Sequence, residues 1–280
     1  MIVFPNAKIN LGLQVLRRRA DGYHDISTVM LPVDWCDILE ITPATGATGT
    51  FEQCGDIPDC APADNIVLKA LRALEKHIGT PLPPFDIILE KHIPHGAGMG
   101  GGSADAAFAI RAVNELAGLG LDDATLAAVA ATVGADCPFF IYNRPMFAEG
   151  IGERLSAVDA SALSGLSLVI AKPRSEAVST AAAYAAITPR GDDATPTRLD
   201  IESLRNGVYV NDFEAPITAM RPEIGAVRKS LLAHGALYAA MTGSGAAVFG
   251  FFESAKMAEE AAAALTDCAV HVQHKPAFGA

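Results

Sequence analysis

The stretch Pro94-His-Gly-Ala-Gly-Met-Gly-Gly-Gly-Ser-Ala-Asp-Ala-Ala107 decides the fold of this chain. Phe85-Asp-Ile-Ile-Leu-Glu90 precedes it and has the β-branched composition of a strand. The apolar residues that follow recur at helical spacing: Ala106, Ala109, Ile110, Val113, Leu116 and Ala117. Glycine lets backbone N–H groups approach a ligand closely, and the start of a helix adds partial positive charge. The stretch therefore predicts a phosphate-binding loop between a strand and a helix.

A dinucleotide-binding turn would also fit part of this loop. Gly96, Gly98 and Gly101 formally satisfy the G-x-G-x-x-G pattern. That fold also needs an acidic residue on a second strand about 20 positions further on. Glu115 falls near that position but lies inside the predicted helix, so the pattern gives only weak support for a dinucleotide.

A Walker-type loop and a flexible linker fit the stretch less well. A Walker loop needs a lysine before its serine or threonine, whereas Gly102 precedes Ser103 here. Glycine linkers rarely run directly into a helix, and this one leads into a helix for which we predict Ser103 as the cap and Gly118 as the stop. Phosphate binding is therefore favoured over both.

Composition and charge narrow the class of protein. The chain has 280 residues, half of them hydrophobic, which is enough for one large domain or two smaller ones. Its net charge of −11 argues against nucleic-acid and anionic-membrane surfaces, which depend on excess lysine and arginine. The opening Met1-Ile-Val-Phe-Pro5 has no basic or long apolar run, so we expect a soluble, cytoplasmic protein. Five cysteines without C-x-x-C spacing indicate reduced thiols.

Turn residues and apolar periodicity give the organisation of the chain. Surface loops are predicted at 43–49, 54–62 and 188–196, where glycine and proline cluster. Helices are predicted at 65–78, 103–117, 122–133, 177–187, 223–234 and 254–266. A strand restarts at Gly165–Ala171 after a stretch of small and polar residues, so we place a domain boundary near residue 160. This gives domains at 1–160 and 161–280.

Two further segments attract attention. Pro5-Asn-Ala-Lys-Ile-Asn-Leu-Gly-Leu-Gln-Val15 alternates as a strand, with Lys8 and Asn10 on the face opposite its apolar residues. Taken alone, it is typical of a half-buried strand with a solvated outer face. Asp136 lies between Gly134, which is expected to end a helix, and Pro138, so its position is restrained. An ordinary turn aspartate would also fit this position.

These motifs together resemble the GHMP kinases, the family of galactokinase, homoserine kinase, mevalonate kinase and phosphomevalonate kinase. The resemblance rests on the 5–11 segment, Asp21-Gly-Tyr-His24, the glycine loop, Gly134-Ala-Asp-Cys-Pro-Phe139 and Thr242-Gly-Ser-Gly-Ala246, in that order along the chain. Asp21–His24 narrows it to the members that phosphorylate 4-diphosphocytidyl-2-C-methyl-D-erythritol in the nonmevalonate route to isoprenoid precursors. Within the loop, Ala97, Met99 and Ala104 replace the usual glycine, leucine and serine.

The resemblance implies an α+β fold of two domains with the active-site cleft between them. It implies transfer of the γ-phosphoryl group of ATP to a substrate hydroxyl, with Asp136 as the base and Lys8 as the orienting, charge-stabilising partner. Magnesium is expected with ATP, although its ligands are unknown. No nucleic acid or membrane partner is expected.

The remaining site residues are also carried over by resemblance. The ATP-binding set is Asn65, Lys91, Gly96, Gly98, Gly100, Gly101, Gly102 and Ser103. In the substrate-binding set, Tyr23 would stack on the cytosine, His24 would hydrogen-bond its edge and Asn10 would contact the substrate near the reacting hydroxyl. The set also contains the segment Thr180–Tyr184, in which Tyr184 would complete the stack from the second domain. Asn65 could equally be a helix cap, and Tyr184 an ordinary helix residue.

Two different functions stay open at this point. Another GHMP kinase would share the loop, Lys8 and Asp136 but would not need Tyr23 and His24. A catalytically silent nucleotide-binding module could keep the loop, although it would have no reason to keep both Lys8 and Asp136.

Overall fold

A computed structural model describes residues 1–55, 64–191, 194–276 and 278. Cys60, most of the predicted loop at 54–62 and two positions of the loop at 188–196 lie outside the described residues. The chain forms two compact units, of which the first contains residues 1–7, 35–95 and 100–143 and the second contains residues 8–34, 96–99 and 144–280. The predicted boundary near residue 160 stays a prediction.

The first unit combines one sheet with helices. Its strands are β1 (Ile2–Val3), β4 (Ile38–Pro43), β5 (Phe51–Gly55) and β6 (Phe85–Lys91), ordered β1-β4-β6-β5. Its helices are α1 (Ile66–Ile78), α2 (Gly101–Leu116), α3 (Asp123–Ala131) and α4 (Cys137–Tyr142). Strand β6 pairs antiparallel with β4 and parallel with β5. Its buried Phe85, Ile87 and Leu89 alternate with side chains that are more exposed, as expected for a strand with one face on the core.

The second unit contains two further four-stranded sheets. One has the order β2-β3-β7-β8, from β2 (Asn6–Arg18), β3 (His24–Cys36), β7 (Met146–Gly150) and β8 (Arg154–Ala157). The other has the order β10-β11-β9-β12, from β9 (Ser167–Pro173), β10 (Tyr238–Met241), β11 (Val248–Phe252) and β12 (Cys268–His274). The helices are α5 (Thr180–Ala185), α6 (Ile201–Arg205), α7 (Glu214–Met220), α8 (Pro222–Ala233) and α9 (Ala255–Ala263).

The six predicted helices and the strands at 5–15, 85–90 and 165–171 are confirmed, with ends that shift by a few residues. Helices α4, α6 and α7 were not predicted; they have five to seven residues each, too few for a clear apolar period. The segment 5–15, taken alone, predicted a strand with a solvated outer face. That prediction is wrong, because Lys8 and Asn10 on that face are 3% and 2% exposed. Strand β2 is therefore buried on both faces near its start.

Candidate active site

The first half of the glycine loop presents its carbonyl groups to the rest of the second unit. The carbonyl oxygens of Gly96 and Ala97 accept hydrogen bonds from the N–H groups of Ala246 and Ala247, both at 3.0 Å. The next two carbonyl oxygens, of Gly98 and Met99, accept from the side-chain and backbone nitrogens of Lys8, also at 3.0 Å. In a trans peptide the C=O and the following N–H point in opposite directions. The N–H groups of residues 97–100 therefore point away from these partners.

Gly98 shows why this loop needs glycine. Its φ is +73°, and an added Cβ would lie 2.4 Å from the carbonyl oxygen of Thr242. The close approach is mutual, because a Cβ added to Gly243 would lie 2.6 Å from the carbonyl oxygen of Gly98. Two backbone segments thus meet at a distance that excludes any side chain. The Thr242–Ala246 segment is the support on which residues 96–99 rest.

The second half of the loop becomes the start of α2. Gly100 is the residue before the helix, and Gly101 and Gly102 form its first turn. Our prediction that Ser103 caps this helix is wrong, because the helix begins two residues earlier and Gly100 holds the cap position without a side-chain hydrogen bond. The Ser103 hydroxyl instead interacts with the Cys137 thiol. The 16-residue helix leaves its first N–H groups without intrahelical partners, so its start favours an anion.

Lys8 and Asn10 form a buried polar cluster in the second unit. The Lys8 ammonium donates to Asn10 Oδ1 at 2.5 Å, in addition to its bond with the Gly98 carbonyl. Asn10 Nδ2 donates to Thr28 Oγ1 at 3.1 Å, and its backbone N–H donates to Thr242 Oγ1 at 2.9 Å. The cluster fixes a positive charge beside the glycine loop, where it can offset negative charge on a ligand.

Asp136 is the residue immediately before α4. It is half-buried, and its carboxylate does not cap the helix. The neighbouring thiol of Cys137 is buried, and burial raises its pKa to about 12. A thiol with so high a pKa stays protonated at neutral pH, which makes Cys137 a packed residue and not a nucleophile.

The aromatic residues of the Asp21–His24 element lie at the hairpin between β2 and β3. Tyr23 is 60% exposed. The rings of His24 and Tyr184 stack with centroids 4.9 Å apart and an interplanar angle of 23°. The Tyr184 ring also makes an edge-to-face contact with Phe213, at 4.8 Å. Burial and the charge of Arg18 lower the pKa of His24, so its imidazole is neutral at pH 7.

Two residues of the predicted ATP-binding set, Asn65 and Lys91, occupy structural positions in the first unit. Asn65 caps α1: its Oδ1 accepts from the Val67 N–H at 2.9 Å, and its Nδ2 donates to Gln53 Oε1 at 2.9 Å. The helix cap that the sequence allowed at Asn65 is thus confirmed. Lys91 ends β6, where its ammonium contacts the carboxylates of Asp37 and Asp105.

Thr180 begins the short helix α5 in the second unit. It is exposed, and its hydroxyl lies 3.2 Å from the Ser244 hydroxyl. Ser244 belongs to the segment that supports the glycine loop, so Thr180 is linked to that support.

Curated relatives resemble this chain along nearly its whole length. The 4-diphosphocytidyl-2-C-methyl-D-erythritol kinase of Porphyromonas gingivalis is 44% identical over 272 residues, which are 96% of this chain and 97% of the relative. The kinase of the same name from Bacteroides fragilis is 47% identical over 257 residues, or 90% and 92% of the two chains. The family models described as GHMP kinases N terminal domain and GHMP kinases C terminal match residues 65–144 and 197–271.

The chain belongs to the GHMP kinase family.

Solved structures agree with this assignment. A crystal structure of 4-(cytidine 5'-diphospho)-2C-methyl-D-erythritol kinase has a TM-score of 0.81 and 33% identity, and the match covers 97% of this chain and 98% of that one. A mevalonate kinase with a TM-score of 0.73 is 14% identical and shows the shared fold alone. This member of the family is an ATP-dependent small-molecule kinase with an α+β fold.

Two charged residues near the loop were not predicted from the sequence. Asp37 and Asp105 are 0% and 2% exposed and hold the ammonium of Lys91. Asp105 lies inside the stretch that decides the fold. An aspartate among alanines at the start of a buried helix is the sequence signal that could have identified it. Asp37 follows a strand with no pattern around it to indicate its role.

Within the described residues, no helix is long and apolar enough to cross a membrane. Over the same ranges, no group of three or more His, Cys, Asp or Glu residues is arranged to hold a metal ion. The four described cysteines are free thiols.

Proposed function

We propose that this GHMP kinase transfers the γ-phosphoryl group of ATP to a hydroxyl of 4-diphosphocytidyl-2-C-methyl-D-erythritol. The assignment of this substrate rests on one observation. Relatives named 4-diphosphocytidyl-2-C-methyl-D-erythritol kinase are 44–47% identical to this chain over at least nine-tenths of its length. The Asp21–His24 element supports it, since a neutral imidazole and aromatic rings are suited to a pyrimidine base.

The glycine loop is the proposed site of the ATP phosphates. The outward N–H groups of residues 97–100 and the first turn of α2 supply donors without adding charge. Gly96, Gly98 and Gly100–Ser103 form this part of the site. Asn65 and Lys91 match positions that border the adenosine of ATP in other members of the family, so we place them at that end of the site.

Asp136 and Lys8 are the proposed catalytic pair. The substrate hydroxyl oxygen attacks the γ-phosphorus, the bond from that phosphorus to the bridging oxygen breaks, and ADP leaves with that oxygen. The hydroxyl proton passes to the Asp136 carboxylate. Lys8 offsets the negative charge and orients the hydroxyl, together with Asn10. Its burial and its fixed partners support this role, because a restrained ammonium needs little reorganisation during the reaction.

Magnesium is proposed to enter with ATP, neutralising its phosphates. Magnesium usually keeps several waters and takes one or two carboxylates together with substrate phosphates. We assign no protein ligand to it.

Cytosine recognition is assigned to Tyr23, His24 and Tyr184, with Thr180 nearby. Because His24 and Tyr184 already stack on each other, a base would bind either against the exposed Tyr23 ring or by separating the stacked pair. His24 would meet the polar edge of the base.

An ADP-release assay against a panel of alcohols tests the proposal. The panel contains the cytidine diphosphate conjugate, mevalonate, homoserine and galactose, each with ATP and magnesium. We expect turnover with the conjugate alone. Turnover with mevalonate or a sugar would favour another GHMP activity, and nucleotide binding without turnover on any alcohol would favour the catalytically silent module.

A further inference from the structure

A buried charged cluster lies in the first unit, formed by Asp37, Lys91 and Asp105. The Lys91 ammonium contacts Oδ2 of Asp37 and, at 2.6 Å, Oδ2 of Asp105. The side chains are 12%, 0% and 2% exposed for Lys91, Asp37 and Asp105. Charges this deeply buried are stable only when they are paired. The three residues therefore act as one unit.

The cluster holds the chain where it enters the glycine loop. The second oxygen of Asp37, Oδ1, accepts hydrogen bonds from the N–H groups of His92 at 2.6 Å and Ile93 at 2.8 Å. These residues follow Lys91 directly and lead to Pro94, the first residue of the loop. Asp37 thus fixes both the side chain of Lys91 and the backbone that follows it.

The same cluster holds the chain where it leaves the loop. Asp105 lies in the first turns of α2, four residues after Gly101. A Cβ on Gly101 would lie 3.4 Å from the Lys91 ammonium and 3.0 Å from Ile93 Cγ2. The ammonium therefore lies against the first residue of the helix whose start is proposed to bind phosphate.

We infer that Lys91 is a positioning residue, which fixes both ends of the phosphate loop through Asp37 and Asp105 and does not bind the nucleotide through its ammonium. This inference rests on the proposed function of the loop as the ATP site. An ammonium that turned toward adenosine would leave two buried carboxyl groups without their cation, and an unpaired buried charge is strongly unfavourable.

The charge of the cluster depends on Asp105. Burial raises the pKa of Asp105 to about 8, and the neighbouring Asp37 adds to this effect while Lys91 opposes it. Its second oxygen, Oδ1, is buried without a hydrogen-bond partner. In the described part of the chain, Lys91 from β6 and Asp37 before β4 are the charged groups that act on it. With Asp105 protonated the cluster is neutral, and ionisation of Asp105 gives it one negative charge.

Nucleotide binding by a Lys91→Met variant separates positioning from direct contact. Dissociation constants are measured by calorimetry for ATP, GTP and inorganic tripolyphosphate, with Lys69→Met on the exposed side of α1 as the control. We expect the dissociation constants of all three ligands to increase by the same factor, about tenfold or more. The preference for ATP over GTP should stay unchanged. Weaker ATP binding with unchanged tripolyphosphate binding would overturn the inference, and so would a changed preference between ATP and GTP.

Asp105→Asn provides the second test, and it serves even if Lys91→Met fails to fold. The amide has the shape of the neutral acid. In the wild type we expect ATP affinity to fall as pH rises through about 8, because the ionised cluster repels phosphate. In Asp105→Asn this loss should be absent. The same loss in both proteins would overturn the inference, whereas a wild-type chain that fails to bind ATP at any pH would instead refute the proposed function.

Discussion

At the scale of single residues, Asp136→Asn tests the proposed proton transfer. The amide keeps the shape of the carboxylate but cannot accept the proton, so we expect kcat to fall by about two or more orders of magnitude. Affinity for both substrates should change little. The ADP-release assay measures this, and Asp123→Asn, at an exposed position of α3, is the matched control. A near wild-type kcat for Asp136→Asn would remove this residue from the mechanism.

Combining that change with Lys8→Met shows whether the two residues act together. If they do, the double variant loses much less activity than the product of the two single losses. Losses that multiply would show that Lys8 and Asp136 do separate jobs.

Removing the Tyr23 ring tests recognition of the base. Stacking on an aromatic ring contributes about 1–3 kcal/mol to binding. Tyr23→Ala should therefore weaken binding of the cytidine substrate by roughly one to two orders of magnitude. ATP affinity should stay the same, and Tyr23→Phe should bind as the wild type does. His24→Ala should erode the preference for cytidine over uridine. Equal weakening of ATP and substrate in Tyr23→Ala would make the tyrosine structural.

The pH dependence of substrate binding tests His24. Burial and the charge of Arg18 lower the pKa of His24 because both disfavour the charged ring. The neutral ring is the form we expect to bind, so affinity should be constant at neutral and alkaline pH and should fall as pH drops through the lowered pKa. Calorimetry across this range checks it, and His24→Gln should remove the acid loss. A wild-type affinity that rises at acid pH would contradict the assignment.

At the scale of elements, the close contact between the glycine loop and the Thr242–Ala246 segment should be sensitive to an added side chain. Gly98→Ala adds a Cβ at positive φ and 2.4 Å from a carbonyl oxygen. Gly118→Ala is the control, since its φ is +63° with nothing within 4 Å of the added Cβ. The strained φ alone should lower the free energy of unfolding by about 1–2 kcal/mol in the control. Urea denaturation should show a larger loss for Gly98→Ala.

ATP binding by the same two variants gives the functional side of this prediction. Gly118→Ala should bind ATP as the wild type does, because it lies beyond the end of α2. Gly98→Ala should bind ATP at least about tenfold more weakly than the control, because the displaced loop would misplace its N–H donors. Equal affinities in two folded variants would show that residues 96–99 do not hold the phosphates.

At the scale of the whole molecule, the net charge of −11 opposes the approach of ATP. The proposed site holds phosphate through backbone dipoles and one lysine, and neither creates a long-range attractive field. We therefore expect the association rate constant of ATP to rise modestly as ionic strength increases from about 0.01 M to 0.15 M, where the Debye length falls from about 30 Å to 8 Å. Stopped-flow binding measures it. A rate constant that falls with salt would indicate attraction by a basic surface.

The sequence determined which local structures form. Apolar periodicity and turn or cap residues predict three of these structures. They are the strand before the glycine loop, the long helix after it and the capped helix α1. Such signals are local, because a turn glycine or an apolar period acts within a few neighbouring residues. The family could also be identified from motifs alone, since several of them occur in a fixed order.

Only the tertiary structure decided what surrounds those residues. Four carbonyl groups of the loop are taken by Lys8 and the 246–247 backbone, which lie about 90 and 150 positions away along the chain. The pairing of Lys91 with Asp37 spans a separation of 54 residues, and no local pattern encodes it. Burial has the same origin, and burial by packing raises the pKa of Asp105 to about 8. A sequence read residue by residue shows which groups can ionise, whereas the packing of distant segments sets their charge.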